Sequence, residues 1–186
     1  AKDGAGKALK YLRAALCLRP GVGRARFNLG LAHLVLAQNL EARRAFAIVA
    51  SQARAPELYI VHYAYALALT GQALSAAREL RRLGGESRHP ALREVVRGVA
   101  LMHLARYKEA RAHLLRALEI APGHEEARFH LALCYARQKQ LRKAASLLRS
   151  LLEGSGHTRA LPGVRLAYTT IMKKLRGEGA GGGVRN

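Results

Sequence analysis

Glu41-Ala42-Arg43-Arg44-Ala45-Phe46-Ala47 is the stretch on which the fold turns, because its first alanine recurs throughout the chain. Alanine stands at Ala8, Ala42, Ala76, Ala110 and Ala144, each 34 residues from the last, with no insertion between them. Four residues after each alanine comes a large apolar side chain (Leu12, Phe46, Leu80, Leu114, Leu148). Three further on stands another apolar residue: Ala15, Val49, Leu83, Ala117, Leu151. Twelve residues before the alanine is a small one in every complete unit, Gly30, Ala64, Gly98 and Ala132. Pro20 and Pro122 close two units at the same place. Self-similarity at one fixed step is the mark of a repeat architecture.

The pattern resembles the tetratricopeptide repeat, which carries a small residue on a first helix, Ala-x3-Phe on a second, and then Pro, at the same period. The resemblance covers residues 7 to 156. It departs from the family at the leading Trp, where Arg26, Ile60, Glu94 and Arg128 stand, and at its Tyr, kept only as Tyr135 and replaced by His33, Leu67 and Leu101. The resemblance implies an all-α fold, a right-handed α-solenoid of stacked antiparallel helix pairs. The repeats are expected at 23–56, 57–90, 91–124 and 125–158. Before them, 1–22 holds the second helix of a partial repeat, with residues 1–6 as a small polar lead-in. After them, 159–176 is a terminal capping helix and 177–186 a glycine-rich disordered tail. A terminal repeat needs a cover over its apolar face, so the chain is expected to be part of a larger chain or assembly.

Bulk composition agrees with helices packed through small aliphatic residues. Half of the 186 residues are hydrophobic, only 5% are aromatic, and there is no Trp. The net charge is +20, from 32 Lys and Arg against 12 Asp and Glu. Such a field favours anionic partners, including nucleic acid, acidic proteins and lipid surfaces, and says nothing of fold. Cys17 and Cys134 lie in different repeats and are not expected to pair, since a solenoid touches mainly its neighbours. No signal-peptide pattern opens the sequence, and its longest apolar run, 58–69, is broken by His62 and too short to span a bilayer. A soluble chain is expected.

The resemblance places the first helices on a concave face and the second helices on a convex one. Phe27, Leu31, Val61, Tyr65, Val95, Val99, Phe129 and Leu133 are then the residues expected to form an apolar groove for a partner's amphipathic helix or extended segment. Basic residues sort onto the second helices, with Lys10, Arg13, Arg44, Arg78, Arg81, Arg82, Arg111 and Arg149 as a basic face. That face would steer an acidic protein partner, or anchor the chain to RNA. The Lys, Asn and Arg clamp with which some family members hold acidic heat-shock C-termini is missing, because Phe27, Leu31, His62, Leu92 and Val96 occupy its places.

Enzyme chemistry finds no foothold in the sequence. The eight histidines include no pair at helical i,i+4 spacing, the arrangement a zinc site would use. His62 and His130 share one register two repeats apart, beside the groove positions. No glycine-rich phosphate loop lies between a strand and a helix, and no nucleophile has a supporting motif. The expectation is a non-enzymatic interaction scaffold without cofactor or metal.

Overall fold

The computed structural model describes the backbone of residues 2–154 and 163–180, and side chains within 4–154 and 163–177. The described residues form α1 (Lys2–Leu18), α2 (Gly23–Val35), α3 (Asn39–Ala50), α4 (Glu57–Leu69), α5 (Ala73–Arg82), α6 (Pro90–His103), α7 (Tyr107–Ile120), α8 (Glu125–Arg137), α9 (Leu141–Glu153) and α10 (Val164–Ala180). Each helix packs on the next in sequence, so the chain is an α-solenoid of helix pairs.

Two ends differ from expectation. Residues 2–6 belong to α1 rather than to a polar lead-in, and 177–180 continue α10 rather than opening a tail. Both follow from cooperativity: once Leu16 or Ile171 anchors a helix in the core, each further turn adds bonds without a new nucleus. The rest of the expected tail, 181–186, and the start of the expected capping helix, 159–162, lie outside the described residues.

The turn inside each pair is the same four times. Ala37, Gly71, Ala105 and Lys139, again 34 residues apart, hold φ of 59, 81, 58 and 60°. After each, a backbone N–H returns to the carbonyl five residues back: Gln38 to His33 at 2.9 Å, Gln72 to Leu67 at 2.8 Å, Arg106 to Leu101 at 2.9 Å, Gln140 to Tyr135 at 2.9 Å. This is the glycine-favouring helix stop, yet only one of the four positions carries glycine. Ala105→Gly is expected to raise unfolding free energy by about 0.5–1 kcal/mol, because relief of the left-handed penalty exceeds glycine's added chain entropy. A higher denaturation midpoint at unchanged m-value checks it.

The repeated small residues set how closely paired helices approach. A methyl at Gly98 would lie 2.7 Å from Leu114 Cγ and 3.2 Å from the Ala110 carbonyl; one at Gly30 would lie 2.7 Å from Phe46 Cδ1 and Cζ. Glycine inside a helix costs about 1 kcal/mol relative to alanine, so contact with the partner helix is the reason it stands there. Ala42, Ala76, Ala110 and Ala144 are wholly buried. Ala8 is not: it is half-exposed, and on the same helix Tyr11, one turn on, and Leu18, at its end, are 72% and 84% exposed. Among the described residues α1 packs extensively only on α2, which leaves that stripe open. Ala110→Leu should therefore cost about 1–3 kcal/mol by overpacking, whereas Ala8→Leu should stay within about 0.5 kcal/mol. Thermal melts of the two variants separate them.

A candidate partner-binding face

The direction of bending follows from which helices touch. First helices pack on one another, α4 on α6 and α6 on α8, while α3, α5, α7 and α9 make no mutual contact of comparable extent. The first helices are thus the inner side of the curve. Across this side Tyr65 on α4 hydrogen-bonds His130 on α8, Oη to Nε2 at 2.8 Å, reaching over α6.

Beside that bond opens a cleft of about 470 Å³. Leu69, Val99, Met102, Phe129 and Leu133 give it apolar walls, contributed by the C-terminal parts of α4 and α6 and the middle of α8. His130 and Tyr107 add polar atoms, and His103 and Arg137 complete the lining. Arg137 and His103 are exposed, and neither has a hydrogen-bond or ion-pair partner among the described residues. No carboxylate lines the cleft. It can therefore take an apolar side chain and, at its edge, an acidic group.

Below the cleft lies a polar cluster. Burial pushes the pKa of His130 down to about 4, against the pull of Glu126 and with the push of His103 and His124, so its ring is neutral near pH 7. Burial also raises the pKa of the Tyr65 hydroxyl. Glu126 is held below the usual carboxylate range by His124, whose Nδ1 lies 3.2 Å from Oε2. His62, sharing His130's register, has other partners: its Nδ1–H donates to the Leu58 carbonyl at 2.9 Å, and its ring meets Phe27 edge-on at 5.1 Å. Burial lowers its pKa too. Among the described residues no three His, Cys, Asp or Glu side chains converge as metal ligands. Cys134 donates to the Tyr107 carbonyl at 3.2 Å, and both cysteines are free.

The eight residues expected to line a long groove divide. Leu31, Phe129 and Leu133 are half-buried on the surface. Phe27, Val61, Tyr65, Val95 and Val99 lie in the interior, the last four within one core cluster, and do not form an open groove. For those four the cause is the packing of α4, α6 and α8 against each other, which turns the central registers into a seam between helices; Phe27 is covered instead by Phe46, Tyr59 and His62. Val99 alone of these five borders the cleft. Register ties His130 to His62 rather than to Tyr65, and it gives Tyr107 no place in the cleft. Tyr65 and His130 are 65 positions apart, and only the bend of the stack brings them together.

Of the basic residues, Lys10, Arg13, Arg44, Arg78, Arg81, Arg82 and Arg149 are exposed on second helices. Arg44 pairs with Glu41 at 2.7 Å, Arg82 with Glu79 at 2.5 Å, and Arg149 reaches the Tyr168 hydroxyl at 3.4 Å. Arg111 is half-buried and reaches Gln138 at 3.5 Å. Lys10, Arg13, Arg78 and Arg81 have no such partner among the described residues. No helix among the described residues is long and apolar enough to cross a membrane.

Known proteins give the same architecture. A family profile for the tetratricopeptide repeat matches residues 101–158. No curated protein sequence matches the chain. Among solved structures, TTC0263, a thermophilic tetratricopeptide-repeat protein of Thermus thermophilus, is similar at 20% identity, with TM-score 0.66 and 90% of each chain covered. YrrB, described as a tetratricopeptide-repeat protein with an unusual peptide-binding site, is similar at 18% identity and TM-score 0.50, over 92% of this chain and 84% of that one. A MamA RS-1 double mutant aligns at 16% identity and TM-score 0.54, over 80% of this chain and 84% of its own. With the 34-residue register, the paired helices and the matched segment 101–158 together, the chain is an α-solenoid with the fold of tetratricopeptide-repeat proteins.

Proposed function

We propose that this chain is a non-enzymatic scaffold that binds an apolar, acidic segment of a protein partner on its inner face. The observation that carries the reading is the cleft between α4, α6 and α8, with apolar walls, two unpartnered basic side chains and no carboxylate. A partner's large apolar residue would enter between Met102, Phe129 and Leu133, and its neighbouring carboxylate would meet Arg137. A bidentate guanidinium–carboxylate contact of this kind fixes orientation as well as strength. The net charge of +20 draws such a partner in. That YrrB is described by a peptide-binding site supports the same use of the fold.

Affinity capture from native lysate, with and without nuclease, tests it. Leu133→Asp and Arg137→Glu should each remove the bands that the parent retains after nuclease treatment. Bands that survive both changes contradict the reading.

A second reading, anchoring to RNA through the outer face, is supported by the unpartnered Lys10, Arg13, Arg78 and Arg81. It predicts binding that weakens steeply as salt rises, and loss on reversing Arg44, Arg78, Arg81 and Arg82 while Leu133→Asp leaves it intact.

A further inference from the structure

At the corner where α5 meets α6, away from the inner cleft, a second cleft of about 390 Å³ is lined by three arginines, Arg81, Arg93 and Arg97, together with Ala77, Leu80 and Gly84. No carboxylate lines it. We propose that it is a binding site for a phosphomonoester dianion, held between the Arg81 and Arg97 guanidiniums over the buried Arg93.

Arg93 is the foundation. It is only 7% exposed, an uncommon state for arginine. Its Nη1 donates to the Gly85 carbonyl at 3.2 Å, and its Nη2 to the carbonyls of Gly84 at 3.1 Å and Leu80 at 3.3 Å. These bonds cap the C-terminal end of α5, and taken alone they would make Arg93 a structural staple. They leave its Nε–H buried without any acceptor. They also give no reason for two further arginines to converge on the same cleft.

The local charge is not balanced by protein. Arg97 pairs with Glu94, but that one carboxylate also serves His113 at 2.7 Å and lies 4.0 Å from Arg116. Glu79 is committed to Arg82 at 2.5 Å. Arg81 has no partner among the described residues. Arg81 and Arg93 have no carboxylate partner among the described residues, and a doubly charged oxyanion seated beside Arg97 offsets that surplus positive charge.

Geometry favours phosphate over carboxylate. Guanidinium forks offer parallel N–H pairs, and a phosphomonoester's three terminal oxygens can accept from two forks together. Ala77 and Leu80 provide an apolar wall for the carbon stem of the ester. This site shares no lining residue with the inner cleft, so it stands or falls independently of the partner reading.

The test is titration of the full chain with inorganic phosphate, followed by ³¹P linewidth and calorimetry, at constant ionic strength set with chloride. Saturable binding is expected. Arg81→Ala and Arg97→Ala, both on solvent-reachable side chains, should each weaken it about tenfold, the loss of one charge-assisted contact. Arg149→Ala, remote on α9, should leave it unchanged. A phosphoserine peptide serves as the second arm: tighter binding than free phosphate assigns the ligand to a modified protein, and equal affinity assigns it to a free phosphate compound. Absence of saturation overturns the proposal. So does equal weakening by Arg149→Ala, which would mean diffuse charge, and so does an oligouridylate that binds at this cleft where phosphate does not.

Discussion

Phe46→Ala is expected to lower unfolding free energy by about 3–5 kcal/mol, the range for deleting a fully buried aromatic ring. The ring is wholly buried, 5.5 Å from Phe27 and 5.6 Å from His62 by ring centroids. It therefore joins α2, α3 and α4 at one point. The more telling result comes from its neighbour. Gly30→Ala in the parent pushes a methyl against Phe46 ring carbons and should destabilise. In the Phe46→Ala background the same methyl enters vacated space, and alanine's better helix propensity, about 1 kcal/mol, then dominates. The sign of Gly30→Ala should reverse. Denaturant unfolding of all four proteins measures it as a double-mutant cycle. Additive effects would mean that the two helices do not meet at this register.

Acid should unfold the protein earlier than its carboxylates require. The unfolded chain gives His130 an ordinary pKa of about 6.5, while burial holds the folded value at about 4. As pH falls, the unfolded state takes up the proton first, so stability present above about 6.5 is lost progressively toward 4. Between pH 7 and 4.5 the loss from this one group is on the order of 2 kcal/mol. His62, whose pKa is also lowered by burial, adds in the same direction. Glu126 contributes only further down, since its carboxyl is already held below the usual range by His124. A Tyr65→Phe, His130→Phe double variant removes the titrating ring without stranding the hydroxyl. Its stability should change far less between pH 7 and 4.5, although the parent is the more stable at neutral pH. An unchanged slope would show that His130 takes up its proton alike in the folded and unfolded chains, contrary to this account.

These two results draw on different depths of information. The 34-residue register, with Gly30 and Gly98 facing Phe46 and Leu114, is legible in the chain because a solenoid reuses one local packing solution. The turn register at Ala37, Ala105 and Lys139 is hidden, since three of its four positions lack the glycine that usually marks such a stop. The inner face is harder still. Val61, Tyr65, Val95 and Val99 have the right register for a groove, but whether a register is open or closed depends on how sharply successive pairs bend. That bend is a sum of small packing differences among α4, α6 and α8 rather than a property of any residue type. The Tyr65–His130 bond and the cleft beside it arise from the same bend, so neither has a local signature. The three arginines at the α5–α6 corner come from two helices of different repeats, and only Arg81 stands in a repeated basic register.

Whether the inner cleft is the working surface can be decided by placing the photo-crosslinking residue benzoylphenylalanine at Leu133 in one protein and at Arg78 in another. Leu133 lines the cleft, and Arg78 is exposed on α5 on the outer side. After irradiation in nuclease-treated native lysate, the Leu133 protein should yield a discrete protein adduct that is lost when Arg137→Glu is added. The Arg78 protein should yield none of comparable intensity. Adducts from Arg78 alone, or a Leu133 adduct indifferent to Arg137→Glu, would contradict partner binding on the inner face.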